Sequence, residues 1–179
     1  YSFNSTTSPL TKTEVMKNFY EYISAKLHKK GIPVSADLFG MTTTNEDDLG
    51  IGQNLENALR SFDFVSPMVY PSHFPPTFNG WKDPNKVPGQ LINFVMNRAV
   101  ARADALDELA STTRSSTTPP TSTKLRPWLQ DFQYGGFYGK DEVRAQIKGV
   151  YDNGLTSWMM WDPDVKYTPG AFDKVSTST

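Results

Sequence analysis

The sequence lacks cysteine altogether, which excludes disulfide bonds, a thiol nucleophile and thiolate metal ligands, and leaves the redox compartment open. Its two histidines, His28 and His73, are too few for a histidine-built metal centre. The formal net charge of −1 provides no positively charged surface for nucleic acid or for an anionic membrane. No apolar run approaches the roughly 20 residues of a membrane-spanning helix. We therefore expect neither nucleic-acid binding nor a membrane span.

Aromatic residues are the abundant class, at 13% of the 179 residues. A chain of this length is most simply one domain with a buried core, so we predict a single domain over residues 1–179. Residues 111–123 are rich in serine, threonine and proline and have no apolar side chain, which is typical of a flexible insertion. Residues 164–179 are predicted to be a polar C-terminal tail.

Four apolar stretches become polar toward their C-terminal ends, and helical patterns separate them. The alternation of strand and helix predicts right-handed β/α units with parallel strands, which is an α/β fold. Parallel strands that carry polar groups at the same end predict a one-sided active face. The stretches and their polar groups are Pro33–Phe39 with Asp37, Phe64–Phe74 with Tyr70 and His73, Leu125–Asp131 with Trp128, Gln130 and Asp131, and Leu155–Asp162 with Trp161 and Asp162.

The first helix has a recognisable beginning. Thr11 and Glu14 form a capping-box pattern, in which each side chain satisfies a free N–H group of the first turn. Apolar residues then recur every fourth position, which predicts a buried face that continues to the glycine at position 31. The residues of this predicted face are Val15, Phe19, Ile23 and Leu27.

Side chains alternate between the two faces of a strand, so each predicted strand offers two sets. The more apolar set should face the helices, which leaves the mixed set inside a barrel or along the ligand-binding face of the sheet. On this interpretation Asp37, Tyr70, Gln130 and Asp162 converge inside, with Asp131 and Trp161 at the lip. A one-residue bulge in the third strand would exchange Asp131 with Gln130.

Five motifs resemble, in the same order, those of a bacterial family of glycoside hydrolase domains. The most specific are Ser-Pro-Met-Val-Tyr-Pro-Ser-His at residues 66–73 and Arg-Pro-Trp-Leu-Gln-Asp-Phe at 126–132. Residues 35–40, 50–53 and 158–163 carry the others, so the resemblance covers most of residues 33–163. The family is a (β/α)₈ barrel, and the motifs correspond to strands five to eight. The resemblance thus implies the C-terminal half of such a barrel.

The resemblance implies cleavage of a polysaccharide, without a cofactor or metal. Glycoside hydrolysis needs two carboxyl groups, about 5 Å apart for retention and about 6.5–9.5 Å apart for inversion. Asp37 and Asp131 are the predicted catalytic residues, although one partner could be an acid of the family's strand four, outside this sequence. For each aspartate the alternative is a strand-end carboxylate bonded to backbone N–H groups. The predicted substrate-binding residues are Tyr70, His73, Trp128, Gln130, Trp161 and Asp162.

Two other functions remain open from the sequence. A non-catalytic carbohydrate-binding or interaction module would keep the aromatic groups but lack the full acid pair. A metal-dependent deacetylase or hydrolase on the same scaffold would need a divalent ion bound by His73 and an aspartate. Because half a barrel has two open sheet edges, we predict that an N-terminal barrel half or a second chain completes it. An extracellular or cell-envelope location is favoured over the cytoplasm.

Overall fold

A computed structural model describes residues 9–110 and 119–172. Within these residues helices and strands alternate along the chain, as the sequence predicts, and the loops contain several short 3₁₀ turns. Because helices and strands alternate along the chain, they form β/α units rather than a group of strands followed by a group of helices. The elements are α1 (Lys12–His28), β1 (Ser35–Phe39), α2 (Leu55–Ser61), β2 (Phe64–Met68), α3 (Pro88–Leu109), β3 (Trp128–Gln130), α4 (Lys140–Tyr151) and β4 (Met159–Trp161).

The strands form one parallel sheet in the order β1-β2-β3-β4. Asp37 on β1 lies opposite Ser66 on β2, and Met68 lies opposite Trp128 on β3. Each strand is next to its successor in the chain, with a helical or loop crossover between them, which is the arrangement of half a (β/α)₈ barrel. The predicted fold class is confirmed. Within the described residues, β1 and β4 are edge strands.

The core lies between the sheet and the helices. Leu38, Val65 and Leu129 point toward the helices and are at most 1% exposed. These residues belong to the more apolar phase of their strands, so the predicted division of faces is correct for β1 to β3. The periodicity of α3 and α4 predicts one buried stripe on each, and most of it is buried: Ile92, Val95, Met96, Ala99 and Ala103 on α3, and Val143, Ile147 and Val150 on α4. Of the remaining predicted residues, Leu106 is half-buried, and the prediction is wrong for Tyr151, which is 51% exposed.

Helix α1 begins as predicted but turns a different face to the core. The Thr11 hydroxyl accepts the Glu14 N–H at 3.2 Å, and the Glu14 carboxylate accepts the Thr11 N–H at 2.7 Å. The predicted apolar face is wrong in its first half, because Val15 and Phe19 are 44% and 53% exposed. The buried residues are Tyr20 and Ser24, and the Tyr20 ring lies 4.9 Å from that of Phe62. Helix α1 is the first of the described helices, and it packs against α2 on one side.

Proline shapes the third strand. Pro127 has no N–H group, and the regular strand starts only at Trp128, although Leu125 forms a bridge with Val65 and the Arg126 N–H bonds to the Val65 carbonyl at 2.9 Å. The strand is therefore shorter than the predicted Leu125–Asp131.

The predicted insertion and tail are described in part. Residues 111–118 and 173–179 lie outside the described residues. The end of the insertion forms a 3₁₀ turn (Thr121–Lys124), and the first part of the tail folds against the sheet, with Ala171 only 3% exposed. No helix in the described residues is both long and apolar enough to cross a membrane.

Candidate functional site

The carboxyl-end region of β1 carries an exposed carboxylate that is held by an aromatic side chain. Asp37 is exposed on the sheet face that is turned away from the helices. The indole Nε1 of Trp128 donates a hydrogen bond to Asp37 Oδ1 at 2.9 Å. Because Trp128 lies on β3, this bond spans the intervening β2. No other side chain of residues 9–110 and 119–172 donates a hydrogen bond to Asp37, so its second oxygen is open to a ligand.

A second tryptophan lies beside this pair. The rings of Trp128 and Trp161 meet edge to face, with centroids 6.0 Å apart and an angle of 86°. Trp161 lies opposite Gln130 in the register, and Met159 lies opposite Trp128, so Trp161 shares the inner face. The predicted phase of β4, with Asp162 inside and Trp161 at the lip, is wrong. The run Trp-Met-Met-Trp has the same residue types in both phases, so hydrophobicity could not distinguish them.

Asp162 lies in the turn that follows β4. It is 8% exposed, and its Oδ1 accepts the N–H of Asp164 at 2.7 Å, as aspartates at the start of turns commonly do. The structure does not bring Asp162 to Asp37 by a hydrogen bond or ion pair.

Gln130 links two loops at the top of the sheet. It is fully buried, and its Oε1 accepts the Ser72 N–H at 3.1 Å and the Ser72 hydroxyl at 2.8 Å. Its Nε2 donates to the Phe132 carbonyl at 3.0 Å. These bonds join the chain after β2 to the chain after β3. Because both ends of its amide are hydrogen-bonded, Gln130 fixes the position of the two loops that border the exposed face of the sheet.

A partner of Gln130 was missed from the sequence. The side chain of Gln146, on α4, accepts the Gln130 N–H at 2.9 Å and donates to the Gln130 carbonyl at 2.8 Å. Gln146 is fully buried. The available signal was its place beside Ile147 on an otherwise apolar helix face, where a polar group needs a partner.

Asp131 points to the opposite side of β3 from Trp128 and Gln130. It is 2% exposed, and its two oxygens accept the hydroxyl and the N–H of Thr168, the latter at 2.8 Å. The Asp131 N–H donates to the Trp161 carbonyl at 2.9 Å. Asp37 and Asp131 are thus not brought together. The contacts of Asp131 favour the alternative stated above, a strand-end carboxylate satisfied by hydrogen bonds.

Four rings form a cluster that begins at Tyr70, near Asp37, and extends to Tyr134. Tyr70 lies 5.3 Å from His73 and 5.5 Å from Phe132, and His73 lies 6.3 Å from Tyr134, all as centroid distances. Burial raises the pKa of the Tyr70 phenol, and the nearby charge of Asp37 raises it further. Partial burial lowers the pKa of His73, so the imidazole is neutral at pH 7. Phe132 and Tyr134, which the sequence did not single out as site residues, belong to a glycine- and aromatic-rich loop.

The described residues contain no group of three histidine, cysteine, aspartate or glutamate side chains that could hold a metal ion. The face instead combines ring surfaces, a neutral phenol and an exposed, oriented carboxylate. Ring faces pack against the apolar faces of sugars, and carboxylates act on glycosidic bonds as acids, bases or nucleophiles. The arrangement can therefore bind a sugar and supply one of the groups that its hydrolysis needs.

Residues 1–167 match the family described as "Putative glycosyl hydrolase domain". No curated protein matches the chain. Among solved structures, the chain is similar to the glycoside hydrolase domain of PgaB (BpsB) from Bordetella bronchiseptica, with a TM-score of 0.55 and 20% identity over 86% of this chain. At this identity the likeness shows the fold. The chain spans 38% of the length of that structure. The match over nearly all of its residues shows that the chain belongs to the glycosyl hydrolase domain family.

Proposed function

We propose that this chain forms the C-terminal half of a glycoside hydrolase barrel that cleaves a polysaccharide, with Asp37 as one of its two carboxyl groups. The observation that carries the proposal is the hydrogen bond from Trp128 to Asp37 on an exposed, aromatic-lined face. An exposed carboxylate with one oxygen fixed by an indole and the other free is oriented for a substrate. Family membership supports the reaction class.

Hydrolysis requires one carboxyl group to protonate the leaving oxygen and another to act as nucleophile or as base for water. Asp37 supplies one of these groups. Asp131 and Asp162 are buried and already accept hydrogen bonds from Thr168 and Asp164, so the second carboxyl group comes from the other half of the barrel. Asp131 then acts as a positioning residue that fixes the segment after β4.

The sugar lies between two aromatic groups. Trp128 and Trp161 offer one ring surface, and the exposed ring of His73 offers another, with the buried Tyr70 packed against it. Tyr70 keeps its proton because burial and the charge of Asp37 raise its pKa, so its hydroxyl donates to a sugar oxygen or to the carboxylate. Gln130 and Asp162 act on the substrate indirectly, through the loops that they hold.

The barrel is completed by further β/α units, from an N-terminal half in the same protein or from a second chain. Three apolar side chains on one side of α1, Val15, Phe19 and Tyr22, are 44–61% exposed. In addition, β1, where Phe39 is 57% exposed, is an edge strand of the described sheet. An open strand edge next to an apolar helix surface is where a neighbouring β/α unit packs.

The test measures release of reducing ends from a panel of polysaccharides. The proteins are the 179-residue chain and a version that includes the preceding β/α units, each as wild type, Asp37→Asn and Asp131→Asn. We expect the longer wild type to be active and Asp37→Asn to lose at least 100-fold in kcat, with unchanged circular dichroism. Full activity of Asp37→Asn would remove Asp37 from the chemistry.

A second function is favoured by one observation: in the described residues Asp37 is the exposed carboxylate of the face, without a second beside it. A non-catalytic carbohydrate-binding module would have this composition. In that case the wild type releases no reducing ends from any polysaccharide, and Asp37→Asn binds glycans as well as the wild type does.

A further inference from the structure

Two of the most exposed aromatic side chains of the structure lie on the loop between β3 and α4. Tyr134 is 63% exposed and Phe137 is 75% exposed. A single exposed apolar residue needs no special explanation. These two, however, lie on one short loop at the carboxyl end of β3, the end at which the candidate site lies.

The loop is held in one conformation by hydrogen bonds. Gln133 donates through Nε2 to the Tyr138 carbonyl at 2.6 Å and accepts the Tyr138 N–H at 2.9 Å, which closes the base of the loop. The Tyr138 ring is only 1% exposed, so the base is anchored in the core. The segment between these anchors, which carries Tyr134 and Phe137, thus has a defined path.

The side chain of Asn85 holds the tip of the loop in place through hydrogen bonds. Its Nδ2 donates to the Tyr134 carbonyl at 2.7 Å, and its Oδ1 accepts the Tyr138 hydroxyl at 2.7 Å. Gly135 has a φ of +67°, and a Cβ atom there would lie 2.8 Å from Asn85 Nδ2. Another residue at this position would adopt a strained backbone conformation and would have to displace the Asn85 amide, so glycine is favoured. A buried amide and a glycine are thus used to present two rings to solvent.

Tyr134 continues the ring cluster of the candidate site. Tyr134 lies 6.3 Å from His73, which lies 5.3 Å from Tyr70. Tyr70 in turn feels the charge of Asp37. Ring contacts therefore lead from the buried Tyr70, near the carboxylate, through His73 to the exposed Tyr134, and Phe137 lies three residues further along the same loop.

We propose that Tyr134 and Phe137 form a distal subsite that binds a pyranose unit of a polysaccharide chain several sugars away from the bond at Asp37. This inference rests on the proposed function of the same face. A sugar chain suits the loop because residues 132–139 offer rings, an amide and glycines, and carry no charge and no aliphatic side chain. Rings stack on pyranose faces, and the Tyr134 hydroxyl provides a polar contact. The subsite would therefore give the protein a higher affinity for long oligosaccharides than for disaccharides.

The experiment measures binding by isothermal titration calorimetry to cello- and chito-oligosaccharides, from disaccharide to hexasaccharide. The variants are Phe137→Ala, Phe137→Leu and Tyr134→Ala, with Phe137→Tyr as the conservative variant, all in the full chain. We expect the first three to weaken hexasaccharide binding roughly tenfold, the loss expected from one ring contact, and to leave disaccharide binding unchanged. Phe137→Tyr should bind as the wild type does, because it keeps the ring.

Several outcomes would overturn the subsite: no binding of either hexasaccharide, equal affinity of wild type and Phe137→Ala, or an equal loss for disaccharide and hexasaccharide. Wild-type affinity of Phe137→Leu would also overturn it, because apolar contact without a ring would then suffice. Failure of the proposed function looks different. Hexasaccharide binding that depends on Phe137, without hydrolysis by any protein tested, supports the subsite and refutes catalysis. Hydrolysis that depends neither on Phe137 nor on the length of the sugar chain supports catalysis and refutes the subsite.

Discussion

The indole N–H of Trp128 on β3 bonds to the carboxylate of Asp37 on β1 at 2.9 Å, across the strand that separates them. The bond fixes one oxygen of an exposed group that would otherwise rotate among several positions. An indole also leaves the carboxylate its negative charge, which an arginine would compensate. Orientation is therefore the contribution of Trp128 to the proposed chemistry.

Replacement of Trp128 by phenylalanine should separate orientation from stacking. Trp128→Phe keeps a ring beside Trp161 but removes the only hydrogen-bond donor of the side chain. We expect kcat to fall roughly tenfold, the effect of about 1.4 kcal/mol on a barrier, while KM changes little. The measurement is steady-state kinetics on the barrel-completed protein. Trp128→Ala, the matched control, should also raise KM; an unchanged kcat in Trp128→Phe would refute the orienting role.

Thr168→Val should destabilise the fold rather than abolish the chemistry. The Thr168 hydroxyl bonds to Asp131, which is 2% exposed, and valine would leave that carboxylate oxygen without its donor. We expect the free energy of unfolding in urea to fall by about 1–3 kcal/mol. Thr156→Val, at an exposed position, is the control and should change it by less than about 0.5 kcal/mol. A Thr168→Val protein as stable as this control but without hydrolysis would return Asp131 to the catalytic residues.

The contrast between Asp37 and Asp131 shows what the sequence could and could not predict. Local patterns were sufficient for the capping box of α1, the buried faces of α3 and α4, and the parallel order of the strands. Each depends on residues within a few turns of helix or within one strand. The exposure of Asp37 on the inner face also follows from strand alternation.

The errors and omissions have non-local causes. Asp131 obtains its partner Thr168 from 37 residues further along the chain, in a segment that reads as a polar tail. The phase of β4 depends on its register with β3, since both phases of its sequence are equally apolar. The exposed half of α1 reflects the absence of a neighbouring helix in the described structure. Such features depend on what the rest of the molecule places beside each residue.

Gln146→Leu should expose the role of the buried amide on α4. Leucine is similar in size but cannot pair with the N–H and carbonyl of Gln130, which would both be left buried without that partner. We expect a loss of about 2–4 kcal/mol in unfolding free energy, from two unsatisfied groups at about 1–2 kcal/mol each. Chemical denaturation measures it. Gln90→Leu, on the exposed side of α3, is the control; equal stability of the two variants would contradict the proposed pairing.

The ion pair between Glu56 and Arg102 should make stability depend on acid pH. Arg102 donates two 2.6 Å hydrogen bonds to the Glu56 carboxylate and also holds the carbonyls of Thr42 and Asn45. Burial alone would raise the pKa of Glu56, but the hydrogen bonds and charge of Arg102 outweigh it and lower the pKa. Because the pKa of Glu56 is lowered in the folded state, the ion pair stabilises the protein at pH values above the ordinary glutamate pKa of 4.5. This stabilisation is lost as the pH falls below 4.5 and Glu56 takes up a proton.

We therefore expect Glu56→Gln to lower the unfolding free energy by about 1.5–3 kcal/mol at pH 7, the range for hydrogen bonds to charged groups. The difference from wild type should shrink as the pH is lowered from 5 toward 3. Urea denaturation at each pH measures it. Glu108→Gln, exposed on α3, is the control and should show no such trend. A difference that stays constant down to pH 3 would mean that the charge of Glu56 does not carry the contribution.

The exposed surface of α1 gives a prediction about association. Val15, Phe19 and Tyr22 are exposed on one side of α1, and nothing in the described structure covers them. In the absence of the other barrel half, the chain should use this surface to associate, so light scattering should give a mass above the 20.1 kDa of one chain. Phe19→Glu should shift the sample toward one chain, because it places a charge in the centre of the apolar surface. Leu109→Glu, at the exposed end of α3, is the control and should not.

Addition of the preceding β/α units should have the same effect as Phe19→Glu, because they would cover the surface, and it should also raise the melting temperature. A charged variant removes self-association but provides no new packing, so only the longer protein gains stability. A wild-type chain that is monomeric and melts cooperatively would contradict this argument. The open edges would then be tolerated, and the self-sufficient half-barrel would favour the carbohydrate-binding module over the hydrolase, since it would offer Asp37 without a second carboxyl group.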